Sequence, residues 1–187
     1  MNLSLPRRRF VLGALLVAAL PARAIAGFNF FTSEYTASRD ELQAQIAKRF
    51  PLAQRYAEIF SVALRDPQLG LDARTNRASI TAVLSIASPL LRPSTVEGVV
   101  SVSSALRYDA ASRALRLDQP KAERLELQGV TGRDAERLQQ IGAVVAQELL
   151  RDQALRTFSA EELTVGRKTY EIGDITVLDD GIKVQLK

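Results

Sequence analysis

The sequence has no cysteine, no histidine and no tryptophan among its 187 residues. The absence of cysteine excludes disulfides within the chain, thiolate metal sites and cysteine nucleophiles. The absence of histidine removes the most frequent general base and the most frequent metal ligand. The chain also has no glycine-rich phosphate loop, dinucleotide fingerprint or serine-hydrolase elbow. These absences predict a protein that is not an enzyme and that uses neither a cofactor nor a metal.

Positive charge is in excess only at the start of the chain. The formal net charge is +4, and the first 26 residues contain four arginines and no acidic residue. The other 21 basic residues balance the 21 acidic residues of the chain. Because no basic footprint is left for phosphate, we do not expect a nucleic-acid partner. The hydrophobic content of 47% and charged content of 25% are ordinary for a folded domain.

Residues 1–26 have the three parts of an export signal. Arg7-Arg8-Arg9 supplies the positive region, residues 10–20 are apolar, and Ala24-Ile25-Ala26 is a small-x-small cleavage site. The apolar run is shorter than the ~20 residues that a membrane-spanning helix needs. We therefore expect a periplasmic protein that is cleaved near Ala26. Without a cysteine after the apolar run, a lipid anchor is not expected.

The arginines also bear on the export route. Arg7 and Arg8 followed by Phe10 resemble a twin-arginine signal, which exports folded proteins. Pro6 occupies the position where such signals usually have serine or threonine, and the general secretory route is the alternative. Residues 27–187 contain no repeat and no linker, which predicts one domain.

The longest helical pattern covers residues 131–156. Thr131 is the predicted N-cap, with Asp134 completing a box-like cap. The apolar residues follow the spacing of one buried helix face, namely Leu138, Ile141, Val145 and Leu149.

A second, shorter helix is predicted after Ser38. Residues 38–41 form a capping box, and Pro51 ends the helix. One face of this helix consists of Leu42, Ile46 and Phe50.

Alternating polar and apolar residues predict β-strands on both sides of the long helix. The strand segments are residues 56–64, 69–71, 80–86, 96–108, 115–117, 125–130, 175–177 and 182–186. Asp66-Pro67 is predicted to end the first strand, and Asp179-Asp180-Gly181 is the turn of a terminal hairpin. Together with the two helices, these strands indicate an α+β protein.

Polar clusters in the sequence favour structural roles over catalysis. Adjacent acids occur at residues 40–41, 161–162 and 179–180, and two of these pairs, at residues 40–41 and 179–180, lie at predicted caps or turns. The pair at residues 161–162 lies in a segment that the pattern predicts to be either a cap or a loop. The serines at positions 101, 103 and 104 have no histidine partner, so only a lysine could act as their base.

The start of the expected mature chain carries a family likeness. Residues 35–42, with the sequence YTASRDEL, follow the export signal. They resemble the Y-T-x-[ST]-x-x-E-[IL] run that opens the mature chains of the YceB-like bacterial envelope proteins. The order of the predicted elements is also similar, from a capped helix through a strand series and a long helix to a terminal strand pair. That family usually carries an N-terminal lipid-anchoring cysteine, which this chain lacks.

The resemblance implies a fold similar to the TULIP (tubular lipid-binding) modules. In such a fold a strongly curved antiparallel sheet wraps a long helix and leaves an apolar groove. The implied function is periplasmic binding or carriage of a lipid or other hydrophobic molecule. The residues expected to line the groove are Leu42, Ile46, Phe50, Val100, Val102, Ile141, Val145 and Leu149. The alternative is a periplasmic interaction domain whose groove is filled by its own side chains and whose protein partner the sequence does not identify.

Overall fold

The computed structural model describes residues 28–29, 33–56, 59–165 and 167–187. The export signal expected at residues 1–26 lies outside the described residues. In chain order the elements are β1 (Phe28–Asn29), β2 (Glu34–Ser38), α1 (Arg39–Ala47), β3 (Leu52–Tyr56), β4 (Phe60–Asp72), β5 (Arg77–Ala87), β6 (Thr95–Asp109), β7 (Ala114–Leu127), α2 (Gly132–Leu150), β8 (Ala154–Thr157), β9 (Thr164–Val165), β10 (Lys168–Thr169), β11 (Ile172–Val177) and β12 (Gly181–Leu186).

Antiparallel pairing organises the strands. Strands β3 to β8 form a six-stranded sheet in chain order, and this sheet is strongly curled. A four-stranded sheet has the order β1-β2-β12-β11, so that strands from the two ends of the described chain lie side by side. A small two-stranded sheet joins β9 and β10. The α+β prediction with a curled antiparallel sheet is therefore confirmed.

The core is one cluster of buried side chains that includes residues of both helices and of both larger sheets. Strand β5 shows its simplest pattern, because every second side chain from Ala78 to Ile86 is buried. Its neighbour β6 buries Val96, Val100 and Val102 in the same way. Both strands agree with the predicted segments 80–86 and 96–108.

Helix α1 begins as the sequence predicts. The Oγ of Ser38 accepts a hydrogen bond of 3.3 Å from the backbone N–H of Glu41. The carboxylate of Glu41 does not complete the predicted capping box, because it forms an ion pair with Arg156 instead. Leu42 and Ile46 are buried against the core, and the helix ends at Ala47, before Pro51.

Helix α2 is shorter than the predicted residues 131–156 and ends at Leu150. Asp152 has a left-handed φ of 60°, and the chain then enters β8. The backbone already leaves the helical conformation at Arg151, whose ψ is 133°, so the helix prediction for residues 151–156 is wrong. Thr131 does precede the helix, but its side chain makes no capping hydrogen bond.

The placement of Ile141 in the buried stripe of α2 is also wrong, because this side chain is 45% exposed. The buried face instead contains Leu138, Gly142, Val145, Ala146 and Leu150. A Cβ at Gly142 would lie 3.0 Å from side-chain atoms of Leu84 and Leu125. The helix therefore packs tightly on the sheet at Gly142, and this orientation turns Ile141 outward.

The first predicted strand, at residues 56–64, is in fact two strands, since Tyr56 ends β3 and Phe60 begins β4. Asp66-Pro67 does not end β4, which continues to Asp72 through a bulge between Arg65 and Gln68. The predicted segments 115–117 and 125–130 belong largely to one long strand, β7. The terminal hairpin is confirmed as β11 and β12.

Gln43 of α1 forms hydrogen bonds with the backbone at the bulge of β4. Its side-chain amide donates to the carbonyl of Pro67 and accepts from the N–H of Leu69, both at 2.7 Å. A bulge interrupts the ladder of backbone hydrogen bonds. Gln43 supplies partners for two of the backbone groups there and ties α1 to the sheet.

Candidate functional site

A cavity of about 530 Å³ opens at the N-terminal end of α2. Three separate segments of the chain form its walls. Its lining residues are Leu90, Leu91, Arg92, Val96, Gly129, Val130, Thr131, Asp134, Arg137 and Leu138. We refer to this cavity as the α2 cleft.

Pairing of β6 with β7 brings these segments together. Gly98 of β6 lies opposite Leu127 of β7, and the N–H of Gln128 donates to the carbonyl of Glu97 at 2.8 Å. The end of β7 therefore lies beside the start of β6 and the loop that precedes it. That loop is closed by a hydrogen bond of 2.8 Å from the N–H of Ser88 to the carbonyl of Ser94.

The turn from β7 into α2 depends on two glycines. Gly129 and Gly132 have φ values of 73° and 71°, which L-residues with a Cβ rarely adopt. Thr131 between them is extended and makes no side-chain cap. The first N–H groups of a helix have no hydrogen-bond acceptor within the helix. At the start of α2 the Thr131 side chain does not supply an acceptor for them either.

The walls of the cleft are mainly apolar. Val96 and Leu138 are buried, and Leu91 and Val130 are half-buried. Leu90 is 76% exposed, although it is a large aliphatic side chain. The cleft thus leaves apolar surface in contact with water, which favours binding of an apolar group.

Three charged side chains stand at the rim, namely Arg92, Asp134 and Arg137, and all three are exposed. Arg92 donates to the carbonyls of Pro89 and Leu91 at 3.2 and 2.9 Å, so part of its guanidinium is held by its own loop. Among the ion pairs within the described ranges, none involves any of the three rim side chains.

The structure places the eight predicted groove residues elsewhere. Leu42, Ile46, Val100, Val102 and Val145 belong to the buried core cluster, at 0 to 7% exposure. Phe50 and Leu149 are partly buried and pack against that cluster, while Ile141 is exposed on α2. Phe50 also lines a separate cavity of about 400 Å³ beside Arg65 and Asp66. None of the eight lines the α2 cleft.

A cluster of charged side chains around Arg156, on the α1 side of the molecule, is paired mostly with other protein groups. The guanidinium of Arg156 lies 2.8 Å from the carboxylate of Glu41 and also pairs with Glu162. It donates to the hydroxyl of Tyr35 at 3.0 Å and lies 5.5 Å from the ring centroid of Phe158. Burial raises the pKa of the Tyr35 hydroxyl to about 12, although the positive charge of Arg156 opposes this rise. Protein groups satisfy most of this cluster, so we assign it a structural role.

The three serines of β6 are engaged in the sheet. Ser101 accepts from Thr81 at 3.2 Å, and Ser103 lies between Arg77 and Glu123. Ser104 donates to backbone carbonyls, including that of Asp118 at 2.8 Å. These contacts support the cross-strand pairing of β5, β6 and β7.

The acidic pairs have local roles as well. Ser159 and Glu162 exchange hydrogen bonds between side chain and backbone, which fixes the turn after β8. The carbonyl of Asp180 accepts from the N–H of Arg39 at 2.8 Å. Among the described residues, no group of three or more acidic side chains is arranged to hold a metal ion. In the same part of the chain, no helix combines the length and apolar character needed to cross a bilayer.

A scan against protein-family models and a search of curated proteins gave no match for this chain. The choice among functions therefore depends on the geometry of the α2 cleft and its surroundings.

Proposed function

We propose that this protein is a non-catalytic periplasmic binding or carrier module for a lipid or other hydrophobic small molecule, bound in the α2 cleft. The observation that carries the proposal is the cleft itself. Its volume of about 530 Å³ lies within the roughly 300–1,000 Å³ typical of small-molecule sites. Such sites combine apolar walls with a few polar groups, as this cleft does.

The proposal includes a relationship to the YceB-like proteins and a TULIP-like fold. The curled antiparallel sheet and the two helices support it. The residues that carry the resemblance have structural roles here, since Ser38 caps α1 while Tyr35 and Glu41 both contact Arg156. The motif therefore supports a likeness in fold and does not mark a binding surface.

We place the ligand at the end of α2 and not along the interior face expected from the resemblance. Leu42, Val100 and Val145 lie in the continuous core cluster. A ligand in that position would have to displace packed side chains, and disrupting such packing is costly. The α2 cleft accepts a chain without this cost.

The second candidate is an interaction domain, and a specific observation favours it. Val144 is 66% exposed on the outward face of α2, and Ile141 on the same helix is 45% exposed. Exposed apolar side chains that lie near one another often mark a protein interface. A periplasmic partner that covered this face would account for them.

Two matched substitutions, one in the segment before α2 and one on α2, distinguish these two candidate functions. Val130→Trp would fill the cleft, whereas Val144→Trp would place the same side chain on the outward face. Binding of hexadecanol is measured by displacement of the neutral dye Nile red, and native mass spectrometry detects any lipid that copurifies. We expect Val130→Trp to lose at least roughly tenfold in affinity, because several buried methylenes contribute about 0.8 kcal/mol each.

The control Val144→Trp should bind as the wild type does. Equal affinities of the two variants, or no uptake of any lipid by the wild type, would contradict the proposal. A crosslinked periplasmic partner that is lost in Val144→Trp but kept in Val130→Trp would favour the interaction domain.

A further inference from the structure

We propose that the ligand of the α2 cleft is an amphiphile with one negatively charged headgroup, and that the rim arginines Arg92 and Arg137 bind this headgroup. This inference rests on the proposed function and adds the class of ligand. The chemistry is that of a carboxylate or a phosphodiester attached to a hydrocarbon chain.

Arg137 stands where a headgroup would lie. It is exposed at the rim, and the next residue, Leu138, is buried in the cleft wall. Because both side chains line the same cleft, a cation lies beside its apolar wall. A tail that packs against Leu138 would carry its headgroup to the guanidinium of Arg137, which binds planar and phosphate anions through several N–H donors.

Arg92 approaches the cleft from the opposite segment, the loop between β5 and β6. Its Nη1 donates to the carbonyls of Pro89 and Leu91, which orients the guanidinium on the loop. The Nη2 and Nε groups retain further N–H donors for a ligand. The two arginines therefore reach the cleft from separate segments of the chain.

The start of α2 adds a weaker contribution of the same sign. Thr131 lines the cleft and makes no capping hydrogen bond. The uncapped N–H groups of the first turn give this end of the helix a partial positive charge. This field would favour an anion that the arginines have already positioned.

Asp134 sets the limit on the charge of the ligand. It lies at the rim in the first turn of α2 and repels an anion. The rim therefore has two positive charges against one negative charge. This balance suits a single negative charge, and it predicts effects of opposite sign for Arg137 and Asp134.

The test compares amphiphiles with the same sixteen-carbon chain in a Nile red displacement assay on the purified protein. Hexadecanoate and hexadecanoyl lysophosphatidylglycerol are the anionic probes and separate a carboxylate from a phosphodiester source. Hexadecanol is the neutral probe. We expect at least one anionic probe to bind more tightly than hexadecanol by roughly tenfold, as for one charged hydrogen bond.

Arg137→Gln should remove most of the preference for the anionic probe over hexadecanol. Asp134→Asn should instead tighten anion binding by about two- to threefold, since a like charge is removed. Opposite effects from two exposed residues on one helix would not result from a loss of folding.

The outcomes separate the two proposals. If anionic and neutral probes bind equally, and Arg137→Gln changes neither, the headgroup inference is overturned while the cleft remains the binding site. If no probe displaces the dye from the wild type, both the inference and the proposed function are overturned.

Discussion

Helices α1 and α2 meet their surroundings in different ways. Helix α1 has a side-chain cap from Ser38, and Gln43 joins it to the bulge of β4. Helix α2 starts without a side-chain cap and leaves Ile141 and Val144 exposed. The polar side chains of Ser38 and Gln43 at α1 are engaged by protein groups, and a cavity of about 400 Å³ also lies beside this helix. The cleft at α2 is larger, at about 530 Å³, and five aliphatic side chains line it. Binding is therefore expected at α2, and the substitutions at Arg156 and Gln43 described below should lower stability and leave ligand binding at α2 intact.

The largest loss of stability should follow from removing the Arg156 side chain. Arg156→Ala would leave Glu41 and Glu162 without their shared partner, and the Arg156 side chain is only 11% exposed. Breaking a fully buried ion pair costs about 3–5 kcal/mol. Because the side chains of Glu41 and Glu162 are 23% and 38% exposed, we expect a loss of about 2–3 kcal/mol here. Urea unfolding followed by circular dichroism measures the loss.

The matched control for that change is Arg151→Ala, because Arg151 pairs with Glu148 on the exposed surface of α2. We expect the urea concentration at the midpoint of unfolding of Arg151→Ala to stay close to that of the wild type. A similar loss in both variants would show that the cluster around Arg156 is not special. Hexadecanol binding should persist in Arg156→Ala at temperatures where the variant remains folded.

A smaller loss of stability is expected at Gln43. Gln43→Ala removes the two hydrogen bonds of 2.7 Å to Pro67 and Leu69. The partly buried backbone groups that lose these partners should cost about 1–3 kcal/mol. Gln140→Ala on the exposed face of α2 is the control and should change the free energy of unfolding little. An unchanged midpoint for Gln43→Ala would mean that water replaces the side chain at the bulge.

At the α2 cleft, Gly129→Ala should affect both the stability of the protein and its binding of ligand. The φ of Gly129 is 73°, and an added Cβ would meet no atom within 4 Å. The cost is therefore conformational, about 1–2 kcal/mol for an L-residue in this region. Because Gly129 lines the cleft, we also expect weaker hexadecanol binding. An alanine variant with wild-type stability would contradict the backbone argument.

The pH dependence at Tyr35 should be absent at neutral pH and appear only in alkaline solution. Its pKa is raised from 10.0 to about 12, first by burial, so the native state holds the proton more tightly than the unfolded state. The resulting stability is complete below pH 10 and is lost as the pH rises toward 12. The wild type should therefore lose stability more steeply than Tyr35→Phe across this interval. Parallel curves from urea unfolding at each pH would contradict the prediction.

Local patterns in the sequence predicted much of the fold. Ser38 caps α1 as expected, and the alternation in β5 and β6 matches their buried side chains. The Asp-Gly turn before Ile182 joins the terminal strands as predicted. These features depend on residues that are close in sequence, so a short window contains their determinants.

The errors have tertiary causes. Close approach of α2 at Gly142 turned Ile141 outward, although its spacing suited a buried stripe. Asp66-Pro67 resembles a strand end, but Gln43 from a distant helix supplies hydrogen bonds that carry β4 through it. Neither contact is visible in the local pattern.

The candidate site was missed for a similar reason. Residues 89–93 lie between the predicted strands 80–86 and 96–108, where the sequence pattern indicates no site, yet Leu90 and Leu91 form part of the cleft. Pairing of β6 with β7 brings this loop to Val130. Periodicity indicates which side chains are buried but not where a cavity remains between them. The sequence feature that could have indicated an unusual turn is the close spacing of Gly129, Thr131 and Gly132.

The most direct test of the α2 cleft is an NMR titration of the ¹⁵N-labelled protein with decanoic acid below its micellar concentration. We predict that amide shift changes concentrate at Leu91, Gly129, Thr131 and Asp134. Changes centred on Ile46 and Val100 would instead place the ligand in the interior, and a spectrum without changes would contradict ligand binding altogether.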